Sequence, residues 1–173
     1  MLNFNILYKF CPKCGDKLSS KKEGKHRRLQ CSDCDFIFYQ NSKPTSSALI
    51  LDGNKVLLGK RKINPSKGRW DVIGGFLEPG EHPEEGLQRE VLEETGLKVE
   101  VSDMIGFFMD VYDGAYPTLN ICYTARVISG RLKPGSDIEE LRWFEIAKLP
   151  KNIAFKNGKD MLKQLKRWHG KKK

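Results

Sequence analysis

The 173-residue sequence contains no apolar run approaching the roughly 20 residues that span a bilayer, which excludes a helical membrane protein. Its opening, MLNFNILYKF, lacks a basic start, a clean apolar core and a small-residue cleavage site, so no secretory leader is expected and a cytoplasmic location follows. Acidic residues are the scarcer charge: 22 Asp and Glu stand against 31 Lys and Arg, a formal +9. No RNA-binding motif accompanies this excess. The imbalance is uneven. Residues 1–43 carry nine basic and four acidic side chains, residues 44–147 twelve and seventeen, and residues 148–173 ten and one. An acidic middle therefore lies between two basic ends. Such ends serve solubility or attract polyanions.

Cysteine is sparse but ordered. Cys11-Pro12-Lys13-Cys14 and Cys31-Ser32-Asp33-Cys34 are two C-x2-C knuckles separated by sixteen residues. Each can present two thiolates to one ion, and the spacer, SSKKEGKHRRLQ at its centre, reads as a hairpin. Four thiolates in tetrahedral array suit Zn²⁺ and leave no position open for water, so the ion is expected to be structural. Iron fits the same ligands. Two disulfides are the alternative, disfavoured by the paired spacing and a reducing compartment. A module of about forty residues buries little core, and a metal would supply its folding free energy. His26 reads as a solvated loop residue. Cys122, the fifth cysteine, reads as a strand residue with no role. The first module is assigned to residues 1–43 and resembles a zinc ribbon, although Asp35 stands where many ribbons have a second glycine.

The second module, residues 44–173, is organised around Gly75–Leu97, GFLEPGEHPEEGLQREVLEETGL. Pro83 suits a first helical turn, Glu84 and Glu85 the positive end of a helix dipole, and Gly96 the left-handed residue past a C-terminus, predicting a helix over 83–95. At about 100° per residue, Glu90, Glu93 and Glu94 fall within an arc of about 100°. Three carboxylates on one face repel one another unless a cation lies among them, and hard oxygen ligands suit Mg²⁺ or Mn²⁺. Arg89 is placed to pair with Glu85 and Glu93 at i−4 and i+4. The competing reading is a solvated acidic helix face.

Gly75, Glu81, Arg89, Glu90, Glu93, Glu94 and Gly96, with Val91 and Leu97, stand at the spacing of the 23-residue Nudix box. The chain thus resembles the Nudix hydrolases. The resemblance implies an α+β fold, an α/β/α sandwich with a mixed sheet, and divalent-cation-dependent cleavage of a nucleoside diphosphate linked to another group. It implies Glu90, Glu93 and Glu94, with the Gly74 carbonyl, as Mg²⁺ or Mn²⁺ ligands, and Glu81 and Arg89 as their supports. By alignment to a late ERWF-like run it implies Glu140, or its neighbour Glu139, as a further ligand or general base; Glu90 is the other candidate base. Here Val72-Ile73-Gly74-Gly75 replaces the commoner Leu-Pro-Gly-Gly.

Ribbon plus box resembles two groups. Plant-type ADP-ribose/FAD pyrophosphatases and their bacterial relatives share Tyr39-Gln40-Asn41, Asn64-Pro65-Ser66 and Ile153-Ala154-Phe155. NADH pyrophosphatases, which also remove NAD caps from RNA, carry a Ser-Gln-Pro-Trp-Pro-Phe-Pro-like run where this chain has Met104–Met109. ADP-ribose or FAD is therefore the expected substrate, with NAD(H) or NAD-capped RNA second. A nucleotide-sensing module that binds RNA or protein is the reading of a different class. Tyr112, Tyr116 and Phe155 are candidate stacking platforms for a base and Arg126 a candidate phosphate contact; aromatics in strands are more often core. The resemblance also leaves a homodimer open.

Outside the box, strands are expected over Phe36–Tyr39, Ser46–Leu51, Lys55–Lys60, Trp70–Ile73, Lys98–Asp110, Pro117–Ile128 and from Ile138, the last leading into a short helix before Pro150. A terminal helix is expected over Lys159–Trp168, followed by a disordered GKKK tail.

Overall fold

The structure is a computed structural model that describes residues 8–171. The reading of the first residues as leaderless therefore falls outside the described residues, as do the last two of the tail. The chain divides into two compact units. One runs up to Ser42 and takes in Val111–Pro117; the other comprises Lys43–Asp110 and the chain from Thr118 onward.

The first unit contains a three-stranded antiparallel sheet: β1 (Leu18–Glu23), β2 (His26–Cys31) and β3 (Ile37–Phe38), in that order. The polar spacer is thus mostly strand, and only Gly24-Lys25 turns, with Gly24 at φ 55°. The knuckles are tight turns closed by backbone bonds, Gly15 N–H to Cys11 O at 2.9 Å and Cys31 N–H to Phe36 O at 2.9 Å. Asp35 sits at φ 56°. Aspartate tolerates this left-handed conformation better than most residues, which accounts for its use in place of glycine.

In the second unit, β4 (Lys43–Asp52) is the central strand, buried from Thr45 to Ile50. Beside it lie β5 (Lys55–Arg61), β6 (Trp70–Asp71) and β7 (Ile73–Phe76), then α1 (Pro83–Thr95), β8 (Leu97–Tyr112), β9 (Tyr116–Gly130), β10 (Ile138–Glu145), a 3-10 turn at Ile146–Lys148 and α2 (Lys156–Lys171). The sheet order is β10-β5-β4-β9-β8, with β6 on β5 and β7 on β4. β4 pairs parallel with β9 but antiparallel with β5 and β7, so the sheet is mixed. The single run expected over Trp70–Ile73 is two strands, because the chain changes partner at Val72 from β5 to β4.

Alternation along β4 separates two cores. Leu49 packs in one cluster with Met161, Leu162 and Leu165 of α2. Ala48 and Ile50 pack in the other with Leu87 and Val91 of α1. A helix therefore covers each face, giving the expected α/β/α sandwich. α1 has the predicted bounds because its signals are local. The His82 imidazole accepts from Glu84 N–H at 3.4 Å, Pro83 follows, and Gly96 ends the helix at φ 70° with its N–H on Leu92 O. α2 begins three residues earlier than the pattern suggested and continues to Lys171. Among the described residues no helix is long and apolar enough to cross a membrane.

Candidate active site and zinc ribbon

The four ribbon cysteines converge. All four Sγ atoms lie within 4.8 Å of one another, with Cys11 and Cys34 3.6 Å apart and Cys14 and Cys31 3.5 Å apart. These separations match the edge of a tetrahedron with metal–sulfur bonds of about 2.3 Å, and all four thiols are free. Burial pushes the Cys11 thiol up, but N–H groups of Cys14 and Lys13 and the neighbouring thiols outweigh it and hold the group near 7. The residues therefore fit a tetrahedral thiolate-bound ion.

The second cluster gathers where β7 meets α1. Arg89 is its hub. Its guanidinium forms a two-pronged pair with Glu81, at 2.8 and 2.9 Å, and reaches Glu90 at 2.9 Å, the Phe76 carbonyl at 3.1 Å and Glu93 at 3.4 Å. Glu81, from the loop before α1, thus takes the place expected for Glu85 as a partner of Arg89. The geometry is planar and bidentate, which a flexible surface pair at i−4 rarely attains. Hydrogen bonds from Arg89 and from Glu78 N–H hold the Glu81 carboxyl at about 2.

The three box glutamates occupy different settings. Glu94 is half-buried and accepts from Gly74 N–H at 3.0 Å. Burial raises its proton affinity well above the usual carboxylate value, against the Gly74 bond, and the charges of Asp137, Glu90 and Asp71 raise it further. Glu90 is raised first by burial, opposed by Arg89, and further by Glu93 and Asp137. The Glu93 side chain is 60 % exposed. Among the described residues, only the cysteines bring three or more potential ligand atoms within 4.8 Å of one another, so the glutamates are neighbours without forming a closed cage. The donor set nonetheless fits a hard divalent cation: Glu90 and Glu94 are partly withdrawn from water, and Glu90 and Glu93 share the Arg89 guanidinium.

Glycines make this closeness possible. A Cβ on Gly75 would stand 2.4–2.7 Å from the Glu90 carboxylate, and one on Gly74, at φ 142°, would stand 2.2 Å from Ser46 O.

Asp137 and Asp71 were not singled out from sequence. Both lie in short segments without periodicity, and only packing brings them in. Residues 131–137 form a strap across the end of α1, with Lys133 N–H on Thr95 O and Gly135 N–H on Glu94 O, both at 2.9 Å. Asp137 ends the strap, and its charge acts on Glu90 and Glu94. Asp71 pairs with Arg61 at 3.3 Å and is pushed up to about 6, chiefly by burial. Glu140, the third residue of β10, is bonded to Arg142 at 2.8 Å, and Glu139 pairs with Lys60 at 2.8 Å. Neither is among the largest influences on Glu90 or Glu94.

Of the four proposed substrate contacts, two fall in each unit. Tyr112 and Tyr116 flank the Asp113–Ala115 turn and belong to the first unit. Arg126 pairs with Glu100 and lines a cavity of about 310 Å³ with Leu97, Leu132 and Trp143. Phe155 carries the Arg61 guanidinium over its ring at 5.0 Å.

The sequence profile of the NUDIX domain matches residues 41–165, and that of the Nudix N-terminal zinc ribbon matches residues 9–40. The chain belongs to the Nudix family. As a Nudix hydrolase it is 37 % identical over 153 residues to an ADP-ribose pyrophosphatase of Methanocaldococcus jannaschii, covering 88 % of this chain and 87 % of that one. It is 33 % identical to the NAD-capped RNA hydrolase NudC of Vibrio atlanticus, covering 82 % of this chain but 51 % of the relative, so it spans about half of that protein's length. A solved Nudix hydrolase from Nitrosomonas europaea superposes with a TM-score of 0.81 at 31 % identity, over 94 % of both chains.

Proposed function

We propose that this Nudix pyrophosphohydrolase cleaves the diphosphate of ADP-ribose or FAD with Mg²⁺ or Mn²⁺. The supporting observation is the cluster of Glu90, Glu93, Glu94 and Asp137 beside Gly74-Gly75 of β7, with Arg89 bonded to Glu90 and Glu93. The ADP-ribose pyrophosphatase relative, matched over most of both chains, supports that substrate class.

In this reading the carboxylates, with the Gly74 carbonyl, would hold the ions, which when bound would supply charge neutralisation at phosphoryl oxygens and a lowered pKa for water. Arg89 orients Glu90 and, through Glu81, fixes the loop that enters α1. A carboxylate of raised proton affinity is suited to take a proton near neutral pH; Glu90 fits that role, and Glu140 is the alternative that would act from β10. Residues 1–43 form the zinc-bound ribbon and residues 44–173 the hydrolase domain, in a cytoplasmic protein.

The NudC similarity favours a second reading, hydrolysis of NAD(H) or of an NAD cap on RNA. A panel of ADP-ribose, FAD, NADH, NAD⁺ and NAD-capped RNA, with products separated chromatographically, tests both. AMP release from ADP-ribose or FAD, dependent on Mg²⁺ and lost in Glu93→Gln/Glu94→Gln, is the expected result. Preference for NADH or capped RNA moves the substrate to the second reading, and full turnover in the double variant refutes the site assignment.

A further inference from the structure

The sheet face turned away from α1 holds a buried polar network that the hydrolytic reading leaves unused. Thr45, Ser47 and Leu49 alternate along one face of β4, and Leu49 packs with the residues of α2. Asn120 of β9 lies beside Thr45 in the parallel pairing, two residues before Cys122 of the same core cluster. Its amide donates to Thr45 Oγ1 at 2.9 Å and to Ser47 Oγ at 2.7 Å. All three side chains are buried, Asn120 to 4 % exposure. Asn120 Oδ1 has no hydrogen-bond partner among the described residues. An unpaired buried acceptor weakens a fold, and an apolar side chain of similar shape would avoid it. Core stability therefore does not account for an amide at this position.

The network reaches the site through Gly74. Ser47 stands directly across from Gly74 in the β4–β7 pairing. A Cβ on Gly74 would lie 2.7 Å from Ser47 Cα and 3.0 Å from Ser47 Oγ, so β7 rests on Ser47 with no side chain between them. The Gly74 N–H donates to Glu94 Oε2 at 3.0 Å, and the Gly74 carbonyl is the one assigned to the cation. Both groups flank the Cα that Ser47 supports. A serine side chain has three staggered positions, and the bond from Asn120 selects one of them. Through Ser47, Asn120 thus sets how closely Gly74 approaches β4, and with it where the two polar groups of Gly74 meet the box glutamates.

We propose that Asn120 is a positioning residue of the cation site, acting through Ser47 on Gly74. Thr45 holds the amide from its other side and keeps it aimed at Ser47. The proposal rests on the hydrolase reading for the role of the Gly74 carbonyl.

The test uses the full-length, zinc-loaded protein, with Mn²⁺ as the probe. Asn120→Ala removes the amide. Ser47→Ala removes the hydroxyl at a smaller loss of packing and guards against misfolding of the first variant. Thr124→Val is the structural control: it deletes a buried hydroxyl of the same strand, one that accepts from Asp103 N–H at 3.0 Å. All three are expected to lower thermal stability. Mn²⁺ titration by electron paramagnetic resonance, without substrate, is expected to show about tenfold weaker binding in Asn120→Ala and Ser47→Ala and no change in Thr124→Val. In the protein free of Mn²⁺, the Gly74 amide signal in NMR should shift, and its exchange with solvent should quicken about tenfold, in the first two variants alone. At saturating Mn²⁺, their kcat on ADP-ribose should fall about tenfold while KM stays within about twofold. Wild-type Mn²⁺ affinity and an unmoved Gly74 amide in both variants, or equal losses in Thr124→Val, overturn the proposal alone. A wild type that binds no Mn²⁺ overturns the cation site itself and this proposal with it.

Discussion

Gly135→Ala tests the connection between the strap and the site. Gly135 lies against the last turn of α1, where an added Cβ would stand 2.4 Å from Glu93 O and 3.0 Å from Glu94 Cα. An ordinary carbon–oxygen contact is about 3.3 Å, so relief requires a retreat of about 1 Å. Both atoms met are backbone, held in a helix and unable to rotate away. The retreat also stretches the bond from Gly135 N–H to Glu94 O, now 2.9 Å. Overpacking of this kind costs about 1–3 kcal/mol, and the weakened hydrogen bond about 1 more. Asp137, two residues on, moves with the strap. A misplacement of about 1 Å at a reacting centre costs on the order of a hundredfold in rate. Urea denaturation followed by circular dichroism, and Mg²⁺-dependent AMP release from ADP-ribose, measure the two effects. Asp137→Asn separates them. It is expected to reduce turnover as strongly while leaving stability unchanged or slightly higher, since it removes a charge that repels Glu90 and Glu94. Native stability together with turnover within threefold for Gly135→Ala would refute the described packing and the delivery of Asp137 by it.

Other substitutions probe other parts of the molecule. The Glu81 carboxyl is held at about 2 rather than near 4.5, so its pairing with Arg89 stabilises the fold fully above the ordinary value and is lost as pH falls toward about 2. The stability gap between wild type and Glu81→Gln should therefore be widest above pH 4.5 and close in acid, which denaturation at stepped pH will report. Thr95→Val removes the hydroxyl that donates to Val91 O at 2.6 Å and accepts from Leu97 N–H at 3.2 Å in a fully buried position, and should cost about 1–3 kcal/mol in urea midpoints. Metal analysis should find one zinc per chain in the wild type, falling sharply in Cys14→Ser. Chelation should melt the ribbon strands in amide exchange while α1 stays protected.

How much of this was legible beforehand follows from how far apart the deciding residues lie. The bounds of α1 were readable because Pro83 and Gly96 act on their own backbone, and the ribbon because each knuckle positions its own pair of thiols. The strands β4, β5, β8 and β9 were readable from apolar runs to within a few residues at their ends, whereas β1 and β2 fall in a polar spacer read as a hairpin tip, and the break between β6 and β7 has no local signal. The bidentate partner of Arg89 was not, because Glu81 reaches it across a loop whose path no periodicity describes. Glu93 and Glu94 are adjacent and chemically identical, yet one is largely solvated and the other half-buried and held by Gly74 N–H.

Sequence alone determined that carboxylates line one face of a capped helix and that four thiols can share an ion, since both rest on local spacing. Only the tertiary structure decided which carboxylates act on one another. Burial, and with it the cost of a charge, depends on what packs from elsewhere: here the β4–β7 floor, the strap that brings Asp137 to Glu94, and the first turn of α2 against Asp71.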